Sequence, residues 1–243
     1  MLRPIWGTSA AEINVNGEKW LAIADIHLGF EFEYIKEGVY IPDQTERMAE
    51  RLLSLGKEYN KLVIVGDLKH SIGMASWSAI RVRRFLDRIT PHFQEILLAQ
   101  GNHDGGISQL LKSYEMIRVV GSKGFALGDV WIFHGHARPL GESQNFDIGL
   151  MGHVHPSIKI KGKGKVAVWV LSETKCDGLP GSLVVMPPFN ELLGYGDLLD
   201  LKQRGPVFPK CIELDSTEIF TLDGGYMGTL EYLVRGKDLL SLT

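Results

Sequence analysis

The sequence contains little cysteine and no marked excess of charge of either sign. Its 243 residues include two cysteines, Cys176 and Cys211, and neither belongs to a CxxC pair. We therefore predict neither a thiolate metal site nor a disulfide framework, and a reducing compartment is the simplest interpretation. The net charge of −3 excludes a strongly basic protein, so a nucleic-acid partner would have to meet a local basic patch.

Long apolar runs are also absent. The longest ones, such as residues 166–171, fall far below the ~20 residues that a membrane helix requires. Residues 1–17 contain no long apolar stretch, so we expect neither a signal peptide nor a membrane anchor. These features favour a soluble protein without a membrane partner, located in the cytoplasm.

What the first half does contain is an alternation of short apolar runs with helix-like segments. Strands are predicted at residues 19–24 and within "KLVIVGD" and "EILLAQGNHD". Helices are predicted within "DQTERMAERLLSLGKEY", where Asp43 is the expected N-cap, and within "SWSAIRVRRFLDRI". This rhythm indicates an α/β fold with parallel strands.

The second half has more strands and fewer helical patterns. "SIKIKGKGKVAVWVL" predicts a hairpin around a Gly-Lys-Gly turn. Further strands are predicted in "DVWIFHGH", "FDIGLMGHVHP", "GSLVVMPPFN" and "TEIFTLDGGYMGTLEYLV". A mixed or antiparallel sheet is therefore expected after the parallel one. Because no Pro/Gly/Ser-rich linker separates the halves, we predict one domain spanning residues 1–243.

Each strand that stops abruptly does so at a residue able to bind a metal ion. The candidates are Asp25, His27, Asp67, Asn102, His134, His153 and His155. Loops after the carboxyl ends of strands form the ligand crevice in α/β sheets, so these side chains should gather on one rim. Carboxylate, imidazole and amide donors suit manganese, iron or zinc. Seven donors suit two ions about 3.5–4 Å apart that share one carboxylate.

The spacing within the candidate set is also informative. Asp25 and His27, like His153 and His155, are two residues apart, so in an extended chain both side chains of a pair point the same way. Glycines 66, 101 and 152 directly precede ligand segments, where the backbone is expected to turn tightly or to approach a ligand closely.

Each motif alone has an ordinary structural explanation. An isolated "HxH" or "DIH" is usually incidental, and "GD" after an apolar run is commonly just a turn. Asn and Asp favour turns in any case, which weakens "GNHD" as a single signal. The occurrence of all of them at successive strand ends favours one shared site.

The ordered series "DIH", "GD", "GNHD", "H" and "GHVH" resembles the calcineurin-like metallophosphoesterase superfamily over residues 21–156. "ADIHLG" and "GDLKH" are most similar to the nuclease-related branch, particularly to small archaeal phosphoesterases related to the SbcD nuclease subunit and to bacterial ligase-associated ones. The later "MPPFNELLG" is similar to a segment of that group. The resemblance implies an αββα sandwich of two mixed sheets flanked by helices, a phosphodiester or nucleic-acid substrate, and a functional link to a DNA helicase or ligase.

The resemblance also implies a role for each residue. One ion would be held by Asp25, His27, Asp67 and His155, and the other by Asp67, Asn102, His134 and His153. Manganese is favoured, with iron and zinc as alternatives. A hydroxide bridging the ions would attack phosphorus while His103 acts as the general acid and Asp104 orients it.

Several assignments stay open. His70 in "GDLKH" is either a substrate contact or a solvated loop histidine. His134 is favoured over His136 as the ligand because it comes first after the apolar run. Two basic features, residues 159–165 with their alternating lysines and the arginines 81, 84 and 88, are best explained as solvated surface rather than phosphate contacts.

The predicted function is hydrolysis of phosphodiester bonds in nucleotide or nucleic-acid-like substrates. The first alternative is a phosphomonoesterase or a cyclic-nucleotide phosphodiesterase. The second is a metal-binding scaffold without catalysis, although the full ligand set and an intact His103 argue against it.

Overall fold

Two β-sheets form the centre of the molecule. The computed structural model describes residues 1–73, 76–160, 162, 164–193, 196–202 and 204–240. The first sheet has the order β1-β2-β3-β4-β5-β6. Its strands are Leu2–Ile5 (β1), Ala10–Val15 (β2), Glu18–Ile23 (β3), Lys61–Ile64 (β4), Glu95–Ala99 (β5) and Ile117–Val120 (β6). Strands β3 to β6 are parallel, as predicted, whereas β1 and β2 add an antiparallel edge that the sequence analysis did not foresee.

The second sheet has the order β13-β10-β11-β12-β9-β8-β7, and a hairpin of two further strands pairs with β11. Its strands are Phe125–Leu127 (β7), Val130–Phe133 (β8), Ile148–Met151 (β9), Pro156–Ile160 (β10), Gly164–Glu173 (β11), Ser182–Val185 (β12), Gly196–Asp197 (β13), Glu218–Thr221 (β14) and Tyr226–Thr229 (β15). Parallel pairs β8–β9 and β9–β12 lie beside antiparallel ones, so the sheet is mixed. The predicted hairpin is confirmed as β10–β11.

Helices cover the outer faces of the two sheets. The α-helices of the described residues are Glu31–Lys36 (α1), Thr45–Leu55 (α2), Ser76–Ile89 (α3), Ile107–Leu111 (α4) and Leu230–Leu240 (α5), and short 3₁₀ helices span Gly56–Glu58, Thr90–His92, Gly141–Asn145 and Leu198–Asp200. Helix α2 buries Met48 and Leu52 against the first sheet, and α3 buries Phe85 and Ile89 there. Burying one such side chain stabilises the fold by ~1.5–3 kcal/mol. The predicted α/β sandwich of two mixed sheets flanked by helices is thus confirmed.

Two details of the helices differ from the predictions. Helix α2 begins at Thr45 after Gln44, but the Asp43 carboxylate still accepts a hydrogen bond from the Thr45 N–H at 2.9 Å. The last predicted strand region ends as a strand at Thr229, and Leu230–Leu240 form α5. Leu230 and Leu233 of this helix pack on the second sheet at helical spacing, which explains why the strand assignment there was wrong.

The cysteine prediction was also wrong. Cys176 and Cys211 form a disulfide bond with S–S 2.12 Å across 35 residues of sequence. A pairing over that separation has no local signature, since two distant cysteines approach only through the fold. The disulfide removes one of the reasons for which a reducing, cytoplasmic location was expected. Within the described residues, every helix is too short or too polar to cross a bilayer.

Strand register determines where the site forms. Ile23 pairs with Ile64, and Ile64 pairs with Leu98, so β3, β4 and β5 end level with one another. In the second sheet Phe133 pairs with Met151, which places the ends of β8 and β9 level in the same way. The two sheets share a buried apolar layer that contains Val63 and Leu150. The loops after all five strands therefore emerge along one edge.

Candidate metal centre

Six of the seven predicted ligands lie close together at this edge. Among the groups of three side chains whose ligand atoms lie within 4.8 Å of one another, two consist of predicted ligands only: Asp25, His27 and His155 make one group, and Asp67, His134 and His153 make the other. The side chains come from loops after β3, β4, β8 and β9, so the groups assemble only when both sheets are in place. The convergence expected from the strand ends is present in the structure.

Asp67 connects the two groups. Its Oδ2 atom lies 3.3 Å from His27 Nε2 in the first group and 3.2 Å from His134 Nε2 in the second. Asp25 Oδ1 lies 3.3 Å from His155 Nε2. One carboxylate that faces both groups is the arrangement that two neighbouring cations need if they share a ligand.

The ring nitrogens that face these carboxylates lie within 3.3 Å of them but form no hydrogen bond of acceptable geometry. Nε2 of His27, of His134 and of His155 is buried and unpartnered. In His134 the other ring nitrogen, Nδ1, donates to the Val65 carbonyl at 2.9 Å, so Nε2 is the nitrogen that carries the lone pair when the ring is neutral. Buried polar atoms are almost always hydrogen-bonded, so three unpartnered imidazoles at one place fit metal ligation.

Charge at the site supports the same fit. Burial acts to raise the pKa of Asp67, but His134 and His27 beside it hold that pKa well below its usual value. Burial is likewise opposed at Asp25, whose pKa is lowered by His155 and His134. Two carboxylates that remain ionised in the interior require positive charge beside them, and divalent cations can supply it in place of protons on the histidines.

The backbone at the ligands is strained. Five of the candidate ligands have a positive φ: 54° at Asp25, 45° at His27, 52° at Asp67, 68° at His153 and 47° at His155. A residue with a Cβ pays about 1–2 kcal/mol for this left-handed conformation, and such strain clusters at functional sites. It also corrects the argument from spacing. The Asp25–His27 and His153–His155 segments are not extended, and His153 and His155 belong to different groups.

Three glycines leave the space that the ligands occupy. A Cβ at Gly66 would lie 2.1 Å from His134 Nδ1, and one at Gly101 would lie 2.1 Å from Asp67 Oδ1. A Cβ at Gly152 would lie 2.7 Å from Asp25 Oδ2. Real Cβ atoms do not approach other atoms so closely, so the close approach expected at these positions is confirmed.

Asn102 and His136 differ from the six clustered residues. Asn102 lies in the turn after β5, and its side chain is exposed. His136 is outside both groups, with its ring centroid 6.1 Å from that of His153, whereas His134 is inside one. The assignment of His134 as the ligand therefore stays a prediction, supported by its place in the second group.

His103 and His70 lie beside the groups. The His103 N–H donates to Asp67 Oδ1 at 2.8 Å, and the His103 Nδ1–H donates to the His70 carbonyl. The two rings stack with centroids 5.3 Å apart, and His70 Nδ1 lies 3.3 Å from His27 Nδ1. His70 Nε2 lies 3.5 Å from a carboxylate oxygen of Glu33 on α1, so His70 is an anchored residue and not a freely solvated one.

Asp104 does not have the expected role. Its carboxylate is fully buried and accepts from the backbone N–H groups of Gly101 at 2.9 Å and Lys69 at 3.3 Å. Burial, followed by the charge of Asp67, raises the pKa of Asp104 to about 6. The ring of His103 is oriented by the His70 carbonyl instead, because Asp104 is engaged in holding the backbone of its own loop.

Two supporting elements escaped the sequence analysis. Lys69, a residue type that is rarely interior, is 1% exposed between Asp67 and His70. The segment "MPPFNELLG", noted only through the resemblance, closes over the Asp25 loop: the Phe189 N–H donates to Ala24 O at 2.7 Å, and Asn190 Nδ2 donates to Ile26 O at 3.0 Å.

The basic features are partly neutralised. Arg81 pairs with Glu31 at 2.5 Å, Arg84 with Asp43 at 2.8 Å, and Arg88 lies 3.9 Å from a carboxylate oxygen of Glu46. Of the hairpin lysines, Lys159 and Lys165 are exposed and directly opposite each other, and Lys161 and Lys163 fall outside the described residues. The arginines of α3 therefore belong to an ion-paired surface.

Comparisons with known proteins agree with this geometry. The family model for calcineurin-like phosphoesterases matches residues 19–150, more than half of the chain. The crystal structure of the nuclease MPE of Pseudomonas putida matches with a TM-score of 0.56 at 20% identity, over 90% of this chain and 100% of that one. A predicted phosphoesterase from Streptococcus pneumoniae TIGR4 matches more weakly, with a TM-score of 0.31 and 13% identity over 86% and 91% of the two chains. A search of curated proteins gave no match.

The likeness to the nuclease MPE structure shows the fold alone at 20% identity, whereas the family model covers the strands and loops that carry Asp25, Asp67 and His134. The matched residues include four of the six clustered side chains, Asp25, His27, Asp67 and His134, whereas His153 and His155 lie beyond residue 150. This chain therefore belongs to the calcineurin-like phosphoesterase family and is a metal-dependent phosphoesterase.

Proposed function

We propose that the protein is a two-metal phosphodiesterase acting on nucleotide or nucleic-acid-like substrates. The observation that carries the proposal is the set of three buried, unpartnered Nε2 atoms that face two buried carboxylates. Membership of the phosphoesterase family and a structural neighbour named as a nuclease support it. We further propose that residues 1–243 work as one domain, because the site draws ligands from both sheets.

The proposed ligand sets follow the two groups. Asp25, His27, Asp67 and His155 would hold one ion, and Asp67, Asn102, His134 and His153 the other. The 3.3 Å and 3.2 Å approaches of Asp67 to His27 and His134 support its place as the shared ligand. Manganese is the favoured ion because the donors are nitrogen and oxygen, with iron and zinc as alternatives.

The protein's own residues would position the phosphate and provide the proton. When bound, the ions supply Lewis acidity that activates water and offsets the charge on phosphoryl oxygens. His103 is held by its N–H on Asp67 and by its Nδ1–H on the His70 carbonyl, so its Nε2 is the ring nitrogen left to face the substrate. In this position it would give a proton to the leaving oxygen as the general acid.

A diester is favoured over a monoester by the groups around the ligands. The side chains that accompany His27 are the imidazoles of His70 and His103, within 4.8 Å of it. A dianionic monoester would be better served by additional fixed cations such as guanidinium groups. A link to a DNA helicase or ligase is part of the proposal through the sequence resemblance alone.

The test compares hydrolysis of bis(p-nitrophenyl) phosphate and p-nitrophenyl phosphate with and without Mn²⁺, together with calorimetric Mn²⁺ titration. We expect metal-dependent hydrolysis, faster on the diester, and two bound ions per chain. Asp67→Asn should weaken both ions together, because both groups lose their shared carboxylate.

Asp43→Asn is the matched control, since Asp43 is a partly buried, ion-paired carboxylate outside the site. It should leave both ions and the turnover unchanged. Faster turnover of the monoester would establish the phosphomonoesterase alternative, and hydrolysis of neither ester would favour the scaffold. Loss of only one ion in Asp67→Asn would contradict the bridging role.

A further inference from the structure

Lys69 is a buried cation that the proposed chemistry does not use. Its Nζ atom lies 2.5 Å from the Ser71 carbonyl oxygen, 3.1 Å from that of Ile72 and 3.4 Å from that of Gly73, and it also donates to the carbonyl of His103. An ammonium group has three donor hydrogens, and backbone carbonyls offer all of them partners. The side chain is enclosed by a cage made from two different loops.

The two loops that form this cage come from neighbouring strands. One follows β4 and carries His70; the other follows β5 and carries His103, and the ladder between these strands ends where Ile64 pairs with Leu98. Beyond that point the backbone N–H of Lys69 donates to Asp104, and the Lys69 ammonium binds the His103 carbonyl. Lys69 thus bridges the loops with both its backbone and its side chain.

We infer that Lys69 is a positioning residue that sets the place of His103, and through its own loop that of His70; this rests on the proposed function. His103 is held on three sides. The His103 backbone N–H donates to Asp67, and its ring Nδ1–H donates to the His70 carbonyl. The His103 carbonyl accepts from the Lys69 ammonium group. All three partners lie on the loop after β4, in which Lys69 also binds the carbonyls of Ser71, Ile72 and Gly73.

Burying a charged side chain costs more free energy than burying an apolar side chain of similar size. An ammonium group loses several kcal/mol of hydration on burial, and an apolar side chain of similar size would fill the same volume without that loss. The ammonium group instead provides directional hydrogen bonds, and these fix four carbonyl oxygens relative to one another. A displacement of about 1 Å in a reacting group costs about 10²-fold in rate, so a fixed His103 has a functional value that packing alone would not provide.

The experiment uses Lys69→Met, which keeps the length of the side chain and removes its charge. Lys61→Met is the matched control, because Lys61 is a partly buried, ion-paired lysine at the opposite end of β4. Turnover is measured on two methyl phosphodiesters, one with a p-nitrophenolate and one with an alkoxide leaving group. Mn²⁺ affinity is measured by calorimetry.

For Lys69→Met we expect kcat on the alkoxide ester to fall about 10²-fold. The p-nitrophenyl ester should be much less affected, because its leaving group needs no proton. Mn²⁺ affinity and KM should stay within about twofold of the wild-type values. The double variant with His103→Ala should be no slower than His103→Ala alone, since residues that act as one unit are not additive. Lys61→Met should change none of these quantities.

An activity-independent readout separates this inference from the proposed function. The imidazole ¹H–¹⁵N signals of His103 and His70 in the metal-free protein should shift in Lys69→Met and not in Lys61→Met. If the wild type hydrolyses neither ester, the proposed function fails, and these signals still decide whether Lys69 positions the histidines.

Unchanged signals, full turnover on the alkoxide ester, or losses that multiply with His103→Ala would each overturn the inference. Should Lys69→Met not fold, Lys69→Gln takes its place, because its amide keeps N–H donors for the same carbonyls. The same pattern with a smaller loss is then expected.

Discussion

The two ends of the parallel strands β3 and β4 differ in chemistry, although both ends belong to the same strands. At their carboxyl ends Asp25 and Asp67 have left-handed backbone, and the imidazoles that face them have unpartnered nitrogens. At their amino ends a cavity of about 950 Å³ opens, lined among others by Glu18 and Tyr59. This cavity is therefore at the end away from the two ligand groups.

Charges at the amino ends are satisfied within the protein. Lys61 Nζ lies 2.8 Å from a carboxylate oxygen of Glu18 and 3.5 Å from one of Glu95. The Tyr59 hydroxyl donates to Glu12 at 2.8 Å. This comparison shows that buried ring nitrogens without hydrogen bonds and left-handed backbone identify the site in this molecule, whereas the size of a cavity does not.

The largest effect is expected from Gly66→Ala, compared with Gly17→Ala at the other end. Both glycines have similar φ, +84° and +89°, so alanine pays the same left-handed cost of about 1–2 kcal/mol at either position. At Gly66 the new Cβ would also lie 2.1 Å from His134 Nδ1, whereas at Gly17 the space within 4 Å is empty. Gly66→Ala should abolish Mn²⁺ binding and turnover.

Gly17→Ala should lower the melting temperature and leave Mn²⁺ binding unchanged. Calorimetric titration of both variants, with thermal unfolding to record stability, makes the comparison. Equal loss of metal affinity in the two variants would show that backbone strain, and not the collision with His134, is responsible.

A smaller effect, confined to chemistry, is expected from His103→Ala. Removal of a general acid costs ~10²–10⁴ in rate on an ester with a poor leaving group. Mn²⁺ affinity should remain, because the backbone N–H of residue 103 can still donate to Asp67. Single-turnover rates on alkyl and p-nitrophenyl diesters provide the measurement. Equal losses on the two esters would contradict proton donation by His103.

The sequence was sufficient to predict the position of the site because position follows from strand ends. Six of the proposed ligands stand one to four residues beyond an apolar run, and parallel register places those ends side by side. The same logic predicted the close approach at Gly66 and Gly101. These inferences need only local patterns together with the rule that loops at strand carboxyl ends converge.

The backbone conformation of the proposed ligands, and the residues that support their loops, could not be predicted in this way. Left-handed backbone at Asp25 or His155 is unfavourable locally and exists because the surrounding fold holds it. Lysine is ordinarily exposed, so nothing local indicated that Lys69 would be interior or that Asp104 would bind backbone N–H groups. In α5, by contrast, the spacing of Leu230, Leu233 and Val234 was a helical signal that the strand assignment overlooked.

The smallest effect is expected from Arg88→Ala, which tests whether the amino-end cavity takes part in the reaction. Arg88 lines that cavity and lies 3.9 Å from Glu46, an exposed ion pair whose contribution to stability is about 0–1 kcal/mol. Because the cavity and the ligand groups are at opposite ends of the same strands, turnover on a diester should change less than about twofold, and the slope of activity against salt should be unchanged for a DNA substrate. If Arg88→Ala clearly lowers activity on DNA but not on bis(p-nitrophenyl) phosphate, the DNA must extend around the sheet and contact the cavity. The carboxyl ends of the strands would then carry the catalytic chemistry, and the amino ends would contribute to substrate binding.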